Sequence, residues 1–277
     1  MKNLKISFIG AGNMANSIIQ GLLADGYEAK NIWATNTNLD KLNKLKNLNI
    51  NISTDNCLAV SNADIIVLAV KPQILKKVAI EIANLIRKKK PLVISIAAAI
   101  NLKTLENYLQ DTSIALIRSM PNTPALLKCG ATGLFANSSC SQEQKKITES
   151  IFNSIGVIVW VNSDEEIDSI AALSGSGPAY FFLLIEALQN AGAKLGLSKE
   201  TASLLSRQTA LGAARMATES GNVAVEQLRQ NVTSRGGTTQ AAIEILEKGQ
   251  FSELIEKAMQ TAKQRAGDLA DEFQKQE

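Results

Sequence analysis

The residues best suited to chemistry lie near the C-terminal end of the chain, where Val232 to Thr239 read VTSRGGTT. Gly236 and Gly237, set ahead of an alanine-rich helical pattern, let successive backbone N–H groups point one way. Such a concavity at a helix N-terminus suits a carboxylate or a phosphate. Ser234, Thr238 and Thr239 place hydroxyls beside it, each able to donate or accept a hydrogen bond. The same residues would also serve as a plain capped turn, so their meaning depends on what accompanies them.

A second chemical constellation stands at the other end. Gly10, Ala11, Gly12, Asn13, Met14 and Ala15 form a GxGxxA run that follows a strand pattern and opens a helix, the context a dinucleotide fingerprint requires. Gly10 permits the tight turn, Gly12 lets a pyrophosphate approach the backbone, and the small Ala15 lets the helix lie close to the strand. In NAD enzymes an acid near the end of the second strand holds the ribose 2′-OH. Here that stretch is Ala34-Thr35-Asn36-Thr37-Asn38, with no acid before Asp40 and with Lys41 and Lys44 close behind. NADP(H) is therefore the expected carrier and NAD(H) the alternative. Ala69, Val70, Lys71 and Pro72 end another strand pattern, and Lys71 there could meet phosphate or ribose or simply precede a helix-opening proline.

What the chain lacks narrows the chemistry further. It has no histidine, the commonest general base and metal ligand, so catalysis must manage without imidazole and no metal site is expected. Cys57, Cys129 and Cys140 are too few and too scattered for a disulfide framework or a zinc site. Against 26 acidic residues stand 29 basic ones, a balance that does not suggest nucleic acid; Lys88 to Lys90 read as a solvated helix end. No signal-peptide pattern opens the chain. Ala179 to Leu188 is apolar but short and carries Glu186, so a buried helix is expected there, not a membrane span. A cytoplasmic protein is expected.

The elements that must position these residues follow a βαβ rhythm. Strand patterns at Lys5 to Ile9, Asn31 to Thr35, Ala63 to Val70, Pro91 to Ala97, Ile114 to Ile117 and Val157 to Val161 alternate with helical ones at Asn13 to Leu23, Leu39 to Leu48, Pro72 to Ile86, Leu102 to Leu109 and Gln142 to Ile155. Ile65 to Leu68 and Leu92 to Ile96 are nearly unbroken apolar runs, as in parallel strands covered on both faces. After Asn162-Ser163-Asp164 only helical patterns remain. The expected fold is thus α/β, a Rossmann-type doubly wound and mostly parallel sheet over 1–162, followed by an all-helical domain over 163–277. The helix that follows Ser174-Gly175-Ser176-Gly177 is so apolar that it implies a homodimer or higher homo-oligomer.

With these parts placed, the chain resembles the pyrroline-5-carboxylate reductases along nearly its whole length. The resemblance rests on FIGAGNMA (Phe8 to Ala15), LAVKPQ (Leu68 to Gln73), VISIAAAI (Val93 to Ile100), IRSMPNTPA (Ile117 to Ala125), LSGSGPAYFF (Leu173 to Phe182) and VTSRGGTTQAAI (Val232 to Ile243). It implies cofactor binding at Gly10 to Ala15, Asn56 and Ala69 to Pro72, and a substrate loop containing Ser234, Gly236, Gly237, Thr238 and Thr239. Thr35 and Asn36 join the cofactor set from their place at the second strand's end. The chain departs from the family pattern at Arg235, where proline is common, and by one added residue between Gly221 and Leu228, near Asn222.

The implied substrate is a five-membered cyclic imine bearing a carboxylate, and the implied product is L-proline. A protonated imine needs less acid catalysis than a ketone, which suits a chain without histidine. Thr239 is the expected catalytic residue, its hydroxyl contacting the ring nitrogen while backbone N–H groups around Gly236, Gly237 and Thr238 hold the carboxylate. Two other readings compete. A β-hydroxyacid dehydrogenase-like enzyme would resemble its family in carrying a catalytic lysine four residues after a glycine pair, yet counting from Gly177 gives Phe181. A non-catalytic NADP(H)-binding protein would have no use for the VTSRGGTT loop.

Overall fold

The computed structural model describes residues 3–275, which divide into two compact units, one running to Ser176 and resuming at Thr261, the other Gly177–Gln260. In the first, strands and helices alternate as β1 (Ile6–Ile9), α1 (Asn13–Ala24), β2 (Ile32–Thr35), α2 (Leu39–Asn43), β3 (Asn51–Ser53), α3 (Asn56–Ser61), β4 (Ile65–Leu68), α4 (Pro72–Lys89), β5 (Leu92–Ser95) and α5 (Leu102–Leu109). They continue as β6 (Leu116–Met120), β7 (Gly130–Ala136), α6 (Gln142–Asn153), β8 (Gly156–Trp160) and α7 (Asp164–Ile170). The strands make one sheet in the order β3-β2-β1-β4-β5-β6-β7-β8, parallel except for the β6–β7 pair. Strand order reverses beside β1, between β1 and β4, where doubly wound sheets bind ligands.

Each face of the sheet buries its own apolar layer, which is why the strand sequences read as continuous rather than alternating. Ile6, Phe8, Ile65 and Ile94 pack beneath α1 and α6 with Ile18, Leu22, Ile151 and Phe152. Ile9, Ile66, Leu68 and Val93 face α3, α4 and α5 with Val60, Leu75, Ile82 and Leu105. Helix boundaries follow local chemistry. Pro72 opens α4, where its missing N–H is harmless. Ser141 and Gln144 close a capping box on α6. Lys89 at the end of α4 donates to the carbonyls of Ser61 and Ala63 at 2.7 and 2.9 Å, so this lysine is pinned across the sheet end rather than merely solvated.

Four elements differ from the sequence expectation. The helix expected over Leu39 to Leu48 stops at Asn43, gives way to a 3₁₀ turn at Lys46–Leu48, and ends at Asn49 in the left-handed region. The short β3 and α3 follow, both absent from the sequence reading. So is β7, whose two glycines weaken the strand pattern.

The second unit holds α8 (Gly177–Lys194), α9 (Lys199–Glu219), α10 (Val225–Asn231), α11 (Thr238–Lys248) and the start of α12 (Phe251–Gln274). The last residues of α12 belong to the first unit, where Phe273 is buried and the Tyr108 hydroxyl donates to its carbonyl at 3.3 Å. The strands end at Trp160, where the sequence changes character, whereas the compact units divide at Ser176.

The apolar stretch from Ala179 to Leu188, expected as a buried helix and as part of an oligomer interface, is not buried by its own chain. Phe181 and Phe182 are 64% and 67% exposed, and Leu183, Leu184 and Leu188 are exposed beside them. The continuous helical stretch Asp164–Lys194 is long and apolar enough to cross a membrane by length and composition, and only 11% of its most apolar window is buried. Its first turn is acidic, and Asp164 there and Asp168 in the next turn are ion-paired to Arg118 of the sheet. Those pairs tie that end of the stretch to the folded core.

Candidate active site

The glycine loop adopts the geometry of a nucleotide cradle. Gly10 has φ +96°, a left-handed conformation that L side chains rarely adopt, and a Cβ there would fall 2.5 Å from Val70 Cγ1 and 2.8 Å from the Val70 nitrogen. The turn after β1 and the turn after β4 thus press together at the carboxyl edge of the sheet. The Gly10 and Ala11 N–H groups donate to the Thr35 carbonyl at 3.1 and 2.6 Å, which ties β2 into the same corner. Gly12 caps α1 without a side-chain partner, and a Cβ built on it meets only the Gly10 carbonyl, 4.0 Å away. The first N–H groups of α1 therefore face open space, as a pyrophosphate requires. Ala15 is buried under the helix.

The end of β2 carries neutral polar groups. The buried Thr35 hydroxyl donates to Asn56 Oδ1 at 2.7 Å, and Asn36 Nδ2 reaches back to the Ala11 carbonyl at 3.1 Å. Asn38 is occupied as the cap of α2, accepting from the Asp40 and Lys41 N–H groups. Asp40 lies inside that helix. One acid enters from elsewhere: Glu81 of α4 accepts from Asn56 Nδ2 at 3.4 Å and so orients the carboxamide. No sequence signal links Glu81 to Asn56, 25 residues away. Lys71 is the exposed residue before Pro72 and makes no side-chain cap. The structure therefore gathers Gly10 to Ala15, Thr35, Asn36, Asn56 and Ala69 to Pro72 at one edge. The open cradle and the end of β2, whose own residues bring no carboxylate, fit a dinucleotide.

In the second unit, Gly236 takes φ +74° and α11 begins at Thr238 with Gly237 as its cap and no side chain over it. Two of the N–H groups expected to hold an anion are already engaged. Gly236 donates to Gln240 Oε1 at 2.6 Å, and Gly237 donates to the Ser234 carbonyl at 3.0 Å. The groups that open α11 without an intrahelical acceptor are those of Thr238, Thr239 and Gln240. An anion seat here is thus shifted about one residue into the helix, and a carboxamide oxygen occupies the Gly236 position. Ser234, Arg235, Thr238 and Thr239 are exposed.

The sequence reading passed over two buried polar residues of the IRSMPNTPA segment. Arg118 on β6 is 2% exposed; its guanidinium donates to Asp164 Oδ1 at 2.7 Å, to the Asp164 carbonyl at 3.2 Å and to Asp168 Oδ1 at 2.6 Å. Asn122, just past the same strand, is 8% exposed and uses both ends of its carboxamide, donating to the Ser174 carbonyl and accepting from the Ala131 N–H, each at 2.9 Å. The pairs span some fifty residues, so only the unusual presence of an arginine in an apolar strand hinted at them.

Known proteins of the same build settle the family. Over 274 residues the chain is 45% identical to a pyrroline-5-carboxylate reductase of Pseudomonas aeruginosa, covering 99% of both chains. It belongs to the pyrroline-5-carboxylate reductase family. A solved pyrroline-5-carboxylate reductase of Coxiella burnetii, 48% identical, superposes with a TM-score of 0.91 over 96% of this chain and 98% of that one. A Plasmodium falciparum pyrroline carboxylate reductase solved with NADP bound is 31% identical, with a TM-score of 0.86 over 98% and 99% of the two chains. Within this pyrroline-5-carboxylate reductase family member, residues 164–269 match the model described as pyrroline-5-carboxylate reductase dimerisation. Residues 5–99 match that described as NADP oxidoreductase coenzyme F420-dependent. The first match gives the exposed α8 a dimerisation context; the second covers the nucleotide cradle.

Proposed function

We propose that this chain reduces 1-pyrroline-5-carboxylate to L-proline with NADPH as hydride donor, the final step of proline biosynthesis. The observation that carries the reading is the pairing, in one full-length family member, of a carboxyl-edge nucleotide cradle with an uncapped helix start beside the Thr239 hydroxyl. When bound, the nucleotide supplies hydride from its nicotinamide to the imine carbon. The protein's own residues position and charge-match the two partners. Gly10 to Ala15 hold pyrophosphate on the α1 N–H groups, while Asn36 and Asn56 hold the adenosine ribose, with the buried Thr35 behind them orienting Asn56 and Ala69 to Pro72 closing that corner.

The neutral β2 end favours NADP(H) over NAD(H), because a 2′-phosphate meets no carboxylate from that strand. In the other unit, the Thr238, Thr239 and Gln240 N–H groups receive the substrate carboxylate, with Ser234, Gly236 and Gly237 shaping the turn around it. The Thr239 hydroxyl contacts the ring nitrogen and holds its proton as hydride arrives. In functional terms, 1–162 form the nucleotide domain and 163–277 the substrate and dimerisation domain, a boundary supported by the dimerisation match starting at 164. The exposed faces of α8 and α9, with Phe181, Phe182, Leu204 and Leu205, are covered by a second copy. Three free cysteines fit a reducing, cytoplasmic compartment.

The test follows NADPH absorbance with pyrroline-5-carboxylate, with a 2-keto acid and with no substrate. Loss of absorbance with the imine alone is expected. Turnover of the keto acid instead would favour a hydroxyacid dehydrogenase, and binding without any turnover a nucleotide-binding protein.

A further inference from the structure

Between α7 and α8 the chain makes a π-helical turn, Ala171–Gly175, closed by the Ser176 N–H donating to the Ala171 carbonyl at 2.8 Å. A wide turn of this kind is less favourable than the α-helix it interrupts and often marks a functional site. Its place is set by buried polar contacts from β6. Because β6 runs parallel to β5 and β4, the residues just past Met120 emerge at the edge of the sheet that carries Gly10 and Val70. Asn122 sits there, donating to the Ser174 carbonyl. Two residues before the end of β6, Arg118 grips Asp164 and Asp168 of α7, and Asp164 also accepts from the Leu102 N–H at 3.3 Å. The turn is thereby held at two points, at its helical entry and at its exit.

We infer that Asn122 is a positioning residue for imine reduction, holding the Ser174–Ser176 backbone at the carboxyl edge so that it walls the reaction site beside the nucleotide cradle. The inference rests on the imine-reductase reading. Two features set it apart from a general packing role. Asn122 spends its donor on a single carbonyl of an irregular turn, and its acceptor separately on β7 through Ala131, so the two functions come apart in one substitution. Moreover, Arg118 clamps the same turn from its other end.

Asn122→Asp keeps an oxygen for the Ala131 N–H and removes the donor to Ser174. In the full-length enzyme it should lower kcat with pyrroline-5-carboxylate about tenfold or more, in line with the sensitivity of bound reactants to small displacements. The imine KM should rise, while the NADPH dissociation constant, read by fluorescence without substrate, should stay within about twofold. Amide hydrogen exchange at Ser176 should accelerate in the ligand-free protein. Asp168→Asn, which loosens the clamp without touching Asn122, should move the same quantities in the same direction by a smaller factor, and decides the matter if the Asn122 variant does not fold. Wild-type kcat and imine KM in a folded Asn122→Asp protein would overturn the inference, as would equal losses of imine and NADPH binding. If the wild-type protein itself failed to oxidise NADPH with the imine, the imine-reductase reading would fall, and the inference with it. Unaltered exchange at Ser176 in Asn122→Asp would reject the clamp by itself, whatever the substrate.

Discussion

The Thr35 hydroxyl donates to Asn56 Oδ1 at 2.7 Å, joining the end of β2 to the start of α3 inside the nucleotide corner. Thr35 is fully buried, so this bond exchanges little with water. Replacing it with the near-isosteric valine removes the donor to the half-buried Asn56 oxygen, a loss of up to about 1.5 kcal/mol. Thr35→Val should therefore raise the KM for NADPH about tenfold while leaving kcat at saturating NADPH within about twofold. Steady-state titration of the nucleotide at saturating imine checks this; an unchanged KM would remove Asn56 from the cofactor corner.

Gly10 offers a sharper steric test. Its φ of +96° and the 2.5 Å approach of Val70 Cγ1 to a built Cβ mean that Gly10→Ala must push the β4 turn outward. The backbone conformation alone costs about 1–3 kcal/mol for a residue with a side chain. The variant should melt at a lower temperature and should lose most of the stabilisation that NADPH confers on the wild type. A thermal shift series with and without NADPH separates the two effects.

Burial of titratable side chains predicts how stability changes at high pH. Burial first, and the Asp64 carboxylate second, push the Tyr27 phenol up from 10.0 to about 12, and its hydroxyl donates to the Leu4 carbonyl. Burial likewise lifts the Cys140 thiol from 9.0 to about 11. In both cases the folded protein keeps a proton that the unfolded chain releases earlier. Their contribution is therefore complete below the unfolded values and is lost as pH rises from about 9 through 12. Guanidinium midpoints should fall between about pH 8 and about pH 11, and fall less for Tyr27→Phe and Cys140→Ala than for the wild type.

The strongest signals in the sequence were those carried by neighbours along the chain. GxGxxA before a helical pattern located the cradle, and continuous apolar runs such as Ile65 to Leu68 revealed strands covered on both faces. The strand Asn51–Ser53 was illegible because three residues do not establish a period, and Gly130–Ala136 because its glycines dilute the pattern. Partners far apart in sequence left no local trace. Nothing near Arg118 names Asp164 and Asp168, and nothing near Asn56 names Glu81. The apolar α8 was legible as a face that a further copy covers, because more apolar surface stood in that short helical region than its own chain could bury, although hydrophobicity records that a face avoids water and not which surface meets it.

The Gln240 side chain accepts from the Gly236 N–H and so keeps that donor out of the carboxylate seat at Thr238, Thr239 and Gln240, which would gain it if it were freed. A hydrogen bond between neutral groups contributes about 1 kcal/mol, so removing the competitor should tighten carboxylate binding by about fivefold. Gln240→Ala is thus expected to lower the imine KM with kcat nearly unchanged. A raised KM would mean that Gln240 organises the turn for the substrate instead of withholding a donor from it.

Thr239 separates positioning from proton handling. It is the second residue of α11, its side chain is exposed, and no buried packing depends on it. Thr239→Ala should leave the melting temperature and the NADPH dissociation constant close to wild type while lowering kcat about a hundredfold, the lower range for loss of a positioned proton-handling group. Thr239→Ser, which keeps the hydroxyl, should recover most of that loss. Since the imine is itself basic, the Ala variant should regain part of its rate as pH falls and the free substrate becomes protonated, whereas the wild type should respond less over the same range. Parallel pH profiles for the two proteins would show that the hydroxyl does not handle the proton, leaving Thr239 only its backbone N–H in the carboxylate seat.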